Sequence, residues 1–419
     1  MGRAKSPSPP EPITLEYWRL WDDSDALDSY INDYTRSHKN VTIEVKKFSL
    51  TQGKTVYDYQ NEIINLIADG KGPDMFMINN TWLPRFVNKI TPMPESSMSL
   101  KDFNNTFPAA VQEDFVTNDR IYAVPYAIDN LMLFYNTDIF AKNKIKSPPR
   151  TLQELAALAP RLTVRSGTQI QTAGITLGGN QEGVARVADI LAALMMQYGA
   201  DLTLADRQTP AFDLPVPNTN PPIFGAEEAL AYYTQFANPS SPYYSFTDAK
   251  DSTGNRLFPV DIQAFTEGKA AMMIGYAHQV KNIRQFNPTL KFNTAPLPQN
   301  QLQDPATVIG YWGETVSKNA QYPAVAWDFI KYMTGKSQQK SYAKKTSQIP
   351  ARKDLTASYT SQQYYGAVAK QVDYAKSWYH SNTVEVEAVF SRMVDNVVKY
   401  NFTPKIAIET ATRELNQLE

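Results

Sequence analysis

Cysteine is missing from the chain altogether, which removes thiol catalysis, thiolate metal sites and disulfide staples. A chain this long can build a core without staples, so the redox compartment stays open. Histidine is scarce: His38, His278 and His380 lie far apart, and none stands at the helical two-histidine spacing that holds zinc or iron. No run of about 20 apolar residues occurs, so no membrane-spanning helix is expected. A charge surplus is absent too, since 41 Lys and Arg face 42 Asp and Glu. That balance leaves no basic field for nucleic acid or anionic lipid, and nucleic acid is excluded as a partner.

A phosphate loop is also lacking, although FTEGKAAMMIGY (265–276) approaches one with Gly268 and Lys269 before an apolar run. Such a loop needs a glycine five residues before Gly268 and a hydroxyl after Lys269, where Gln263 and Ala270 stand instead. The segment therefore reads as a helix stop. Pro259 suits its first turn, Gly268 closes it in a left-handed cap, and Lys269 is a solvated cation beside the helix end. AAMMIG is then a buried strand that delivers Tyr276 at its carboxyl end. No cofactor is expected.

What is present is length and aromatic surface. At 419 residues the chain exceeds the size at which one core keeps growing, so two lobes are expected. Aromatics make up 12%, including 24 Tyr, more amphipathic ring than a core requires and suited to partly polar ligands. Residues 1–12, MGRAKSPSPPEP, read as a flexible tether, neither signal peptide nor anchor as they stand. MGRAKS fits the myristoylation pattern, but Met-Gly is also what an expression vector leaves, and the latter is expected.

From Ile13 strands and helices alternate. ITLEYW (13–18) is a strand, Ser24 opens a helix carrying Leu27, Tyr30, Ile31 and Tyr34, and VTIEVKKF (41–48) is the next strand. A helix over 56–68 stops at Gly70 and Gly72, and a third strand covers 74–78. The repeat implies parallel pairing with ligand-facing loops after the strands, at RLWDD (19–23) and NNTWLP (79–84). A second series begins near Tyr126 with the apolar strand 131–136, then a helix capped by Thr151 with Glu154 in the capping box. Helices are expected at 184–198 and 225–237, loops at 201–224 and 238–256, a helix at 322–333, and three helical runs at the end.

Several segments, in this order, resemble the sugar-binding group of extracellular solute-binding proteins of ABC importers, the group that includes maltose-binding protein. They are PDMFMINNTW, IYAVPYAIDNLMLFYNTDIFAKNKIKSPPRTLQEL, FTEGKAAMMIGY, ETVSKNAQYPAVAWDFIKYMTG, SQIPARKDL and FTPKIAIETATRELNQL. The resemblance runs from Ile13 to Glu419. It implies a two-lobed, hinge-linked α/β fold with a ligand cleft between the lobes. The first lobe would be 13–125 with 298–338, the second 126–292 with 345–419, and the crossings would lie near 124–128, 292–298 and 338–348. It also implies capture of a mono- or oligosaccharide by hinge closure, ABC permease subunits as partners, a monomer, and no catalysis. The place implied is extracellular or periplasmic, with a lipid anchor that this chain does not carry.

Sugars offer C–H faces to aromatic rings and hydroxyl pairs to Asp, Asn and Arg, which selects the candidates. Trp21, Asp22 and Asp23 follow the first strand, with core packing and helix capping as the structural reading. Asn79, Asn80 and Trp82 follow the third, where the amides could serve turn chemistry alone. Tyr126 and Asp129 stand at the first crossing, as cleft residues or hinge hydrogen-bonders. Tyr276 and His278 occupy the place where relatives often carry Trp. Tyr311 and Trp312 sit between Gly310 and Gly313, which would let backbone approach a ligand, unless the rings are simply buried. Trp378, in KSWYH, can reach the cleft in relatives, whereas Trp327 sits on an amphipathic helix and reads as core. Two other functions stay open: an importer receptor for a polyamine, peptide or phosphodiester, and a glycoside hydrolase drawing two carboxylates from Asp22, Asp23 and Asp129.

Overall fold

The computed structural model describes residues 11–20, 25–50, 53–379 and 383–418, and the chain forms two compact units. The first comprises Met1–Ala127 with Tyr311–Leu355, and the second Ile128–Gly310 with Thr356–Glu419. Residues 298–310 thus pack with the second unit, and 339–355 with the first, where the expectation had placed them otherwise or at a crossing. The reason is that strand Thr307–Ser317 runs unbroken through the change of unit at Gly310.

In the first unit the parallel repeat is present. Strand β1 (Ile13–Arg19) pairs along its whole length with β2 (Val41–Lys47), and Tyr17 and Trp18 pair with Met75 and Phe76 of β3 (Met75–Asn79). Helix α1 (Ala26–Ser37) buries Leu27, Tyr30 and Tyr34, the helical repeat read from sequence, while Ile31 is only half-buried. Ser24, expected to open it, lies outside the described residues. Helix α2 (Val56–Ala68) begins at a capping box in which the Thr55 hydroxyl and the Asp58 carboxylate satisfy each other's backbone N–H groups. The strand Thr307–Ser317 adds antiparallel to β3, aligning Trp312 with Asn79 and Val316 with Met75. Trp327 is fully buried and donates from Nε1 to the Thr91 carbonyl, the core role expected of it.

In the second unit the central strands pair antiparallel, while Thr307 and Val308 pair parallel with Ala375 and Lys376 at its margin. The strand Val124–Asn136 enters it at Ile128, with Met272–Tyr276 on one side and Phe292–Pro296 on the other. Leu131, Met132, Leu133 and Phe134 are fully buried, because this central strand is covered on both faces. Helices Val187–Gln197 and Gly225–Thr234 pack together, as do Thr383–Val398 and Pro404–Asn416. The Thr151 capping box is present on helix Leu152–Leu162. Gly268 has φ +72° and closes helix Asp261–Thr266. Pro259 stands just before that helix rather than in its first turn, because Val260 is the cap. Beyond Gly335 the described residues hold five α-helices rather than three, two of them too short to show a periodicity.

Candidate functional site

Each unit gathers chemistry at the ends of its strands. In the first, β3 ends at Asn79, whose side-chain oxygen accepts from the Thr81 N–H and hydroxyl, forming the tight turn that follows. Asn80 is buried and ties this turn to the neighbouring strand: its oxygen accepts from the Tyr311 N–H at 3.3 Å, and its amide donates to Asp114 at 3.2 Å. The Tyr311 hydroxyl donates to the same Asp114 carboxylate. Trp312 is half-buried and meets Trp82 edge to face, with centroids 5.0 Å apart. Trp82 itself is buried against Phe86 and Tyr59.

The structure therefore brings Asn79, Asn80, Trp82, Tyr311 and Trp312 into one cluster. Gly313 does not open space for a ligand: a Cβ there would lie 2.4 Å from the Phe115 ring. Gly310 likewise faces the protein's own Tyr276 ring, at 3.4 Å. Tyr126 belongs to a different group, stacked on Tyr342 with Arg19 over its face.

In the second unit Asp129, Tyr276 and His278 come together. The Asp129 carboxylate accepts from the backbone N–H of Ala277 at 2.8 Å and of His278 at 2.9 Å, and lies 3.2 Å from His278 Nδ1. It thereby ties the strand Val124–Asn136 to the turn after Met272–Tyr276. The Tyr276 ring stacks against His278 at 5.8 Å, and its hydroxyl donates to Asp189 at 2.9 Å. Burial raises the Tyr276 pKa well above its ordinary value, and the Asp189 charge raises it further, so the hydroxyl keeps its proton and remains a donor.

Asp189 also pairs with Arg186, whose guanidinium lies 5.2 Å over the Tyr276 ring and 3.6 Å from Glu387. Burial opposes the Arg186 charge, yet Asp189, Tyr276 and Glu387 more than offset this and raise its pKa. Glu387 is raised, first by burial and against the pull of Arg186, and accepts from Gln181 at 3.0 Å.

Trp378 stands apart from these groups, tilted on Phe390 at 5.4 Å beside a small apolar hollow lined by Phe212, Val386 and Leu415. Trp21, Asp22 and Asp23 lie outside the described residues.

Sequence reasoning missed Asp114, Arg186, Asp189 and Glu387. The signal for Asp189 was there: a carboxylate inside VADILAALMM, an otherwise apolar helix, must find a partner, and Arg186 is three residues away. Among the described residues no group of three or more His, Cys, Asp and Glu could hold a metal ion. No helix among them is long and apolar enough to cross a membrane.

The chain is 24% identical over 294 residues to a binding protein of Brucella abortus, covering 69% of this chain and 64% of that relative, so the match spans under two thirds of the relative's own length. It is 23% identical over 370 residues to an ABC transporter-binding protein of Deinococcus radiodurans, covering 84% and 81%. Among solved structures, the sugar-binding protein of Xanthomonas citri superposes with a TM-score of 0.76 at 17% identity, covering 97% of each chain, which shows the two-lobed binding-protein fold. Residues 29–369 match the bacterial extracellular solute-binding protein family, and the chain belongs to that family.

Proposed function

We propose that this chain is the solute receptor of an ABC importer, that its solute is a mono- or oligosaccharide, and that it delivers the solute to permease subunits by hinge closure. One observation carries the reading: in a chain of this family, the strand ends hold aromatic rings beside orientable polar groups. Trp312 and Trp82 stand with Asn79 and Asn80, and Tyr276 and His278 stand with Arg186, Asp189 and Glu387. Rings of this kind pack on the C–H faces of a pyranose, and amides, guanidinium and carboxylate serve its hydroxyls. Asp129, Tyr126 and Trp378 are proposed as supporting residues, and Trp21, Asp22 and Asp23 keep their proposed place after β1. The hinge is proposed where the chain changes unit, at Ala127–Ile128, Gly310–Tyr311 and Leu355–Thr356. A monomer tethered outside the cytoplasmic membrane suits the role.

The test is a thermal-shift screen over mono- and oligosaccharides: a saccharide at 100 times its Kd adds about 2.7 kcal/mol of stability. Silence across the panel would overturn the sugar reading. One feature favours a second solute class, for Asp189 and Glu387 together outnumber Arg186, which would suit a polyamine. Salt-sensitive stabilisation by spermidine and none by saccharides would decide for that class. Release of reducing ends on prolonged incubation would instead indicate a hydrolase.

A further inference from the structure

We propose that Arg19, at the end of β1, is a positioning residue that holds the three crossing segments of the first unit in a single arrangement; the proposal rests on the hinge-closing receptor reading above. Arg19 is 2% exposed and Glu314 0%, and Arg19 Nη2 lies 3.4 Å from Glu314 Oε1. The guanidinium also lies 5.5 Å from the centre of the Tyr17 ring and 5.3 Å from that of Tyr126. Tyr126 stacks on Tyr342 with ring centres 5.2 Å apart and planes 6° from parallel.

These partners stand where the chain changes unit. Tyr126 directly precedes Ala127, the last residue before the first crossing, and Glu314 follows closely on Tyr311, the first residue after the second. Near the third crossing, the Ala351 N–H donates to the Tyr126 carbonyl at 3.0 Å. Gln339 joins the same segments, donating to the Pro125 carbonyl at 3.0 Å and accepting from the Arg352 N–H at 3.1 Å. The first two crossing segments thus meet at one buried charge, and the third joins them through Tyr126 and Pro125.

Stability alone does not account for that charge. A buried ion pair can often be exchanged for apolar residues of similar volume with no loss of stability, because desolvation offsets the Coulombic gain. What apolar residues lack is direction. A guanidinium presents a rigid planar fork and a flat face, so carboxylate and rings satisfy it in few arrangements. A Met and a Leu in the same space would accept several. The pair therefore selects one geometry for the segments about which the units turn.

The absence of cysteine makes the test direct. Cysteines placed at the exposed Lys101 and Lys281, one in each unit, take spin labels, and pulsed dipolar spectroscopy without solute reads the spread of distances between them. The double variant Arg19→Met/Glu314→Leu is expected to keep its Tm while the distribution widens at least about twofold, since packing is retained and direction lost. An unchanged width in a folded double variant overturns the proposal. Should that variant not fold, Arg19→Lys keeps the charge beside Glu314 and removes the planar fork; broadening then supports the proposal and an unchanged width overturns it. No saccharide enters this measurement, so a silent sugar screen and an unbroadened distribution are separate failures.

Discussion

Trp327 and Trp312 differ in role because one is fully buried and the other only half-buried. Trp327 is fully buried, so Trp327→Ala removes a packed ring and is expected to cost about 3–5 kcal/mol in urea denaturation. Trp312 is half-buried beside Asn79, so Trp312→Ala is expected to spare most of that stability and weaken saccharide binding at least about tenfold by calorimetry, ~1.4 kcal/mol. The reverse pattern would remove Trp312 from the site. Tyr276→Phe deletes the donor to Asp189 and leaves a buried carboxylate with one partner fewer, for an expected loss of about 1–3 kcal/mol. Residue types were legible from the sequence at these places; their partners were not. Nothing in the order of the chain announces that Tyr311 and Asn80 share Asp114, because the sharing depends on a helix far from both strands.

At the level of the element, capping and turn chemistry was the most legible part. Thr151 with Glu154 is a local signal, satisfied by backbone groups within one turn, and Thr151→Ala is expected to cost about 1 kcal/mol. Gly268 has φ +72° and open space around it, so Gly268→Ala meets only backbone strain, about 1–2 kcal/mol by thermal unfolding. At Gly313 the same substitution drives Cβ into Phe115 and is expected to unfold the first unit at a visibly lower temperature than any cap variant. The sequence marks both glycines alike. One answers a local dihedral and the other a distant ring, which is why only the first was read correctly.

For the whole molecule, the pH response offers a test. Asp261 is buried beneath the loop at Gly183 and Ala185, and burial raises its pKa from 3.8 to about 6, against the N–H groups of Ile262 and Ala185 that lower it. The folded state therefore holds this proton more tightly than the unfolded chain. Its contribution is fully present below pH ~3.8 and is lost as pH rises through about 6, a change of order 3 kcal/mol at about 1.4 kcal/mol per unit. Urea denaturation between pH 4 and 7 should show this fall, and Asp261→Asn should lack it whatever its baseline. An identical slope in both proteins would show that Asp261 does not carry the effect. The proposed hinge closure gives a second test: scattering at saturating saccharide should give a smaller radius of gyration than the free protein, and an equal radius would count against closure.

The sequence by itself determined the α/β alternation, the β1 to β3 repeat, the Thr151 cap and the reading of Gly268 as a helix stop rather than a phosphate site. Those properties rest on periodicity and on hydrogen bonds closed within a few residues, which chain order encodes directly. Tertiary structure alone decided that 298–310 pack with the second unit, that Met272–Tyr276 pairs antiparallel with Leu131–Tyr135, and that Tyr276 donates to Asp189 with Arg186 over its ring. Each of those depends on which distant segments fill one space, and burial makes that choice for the molecule as a whole.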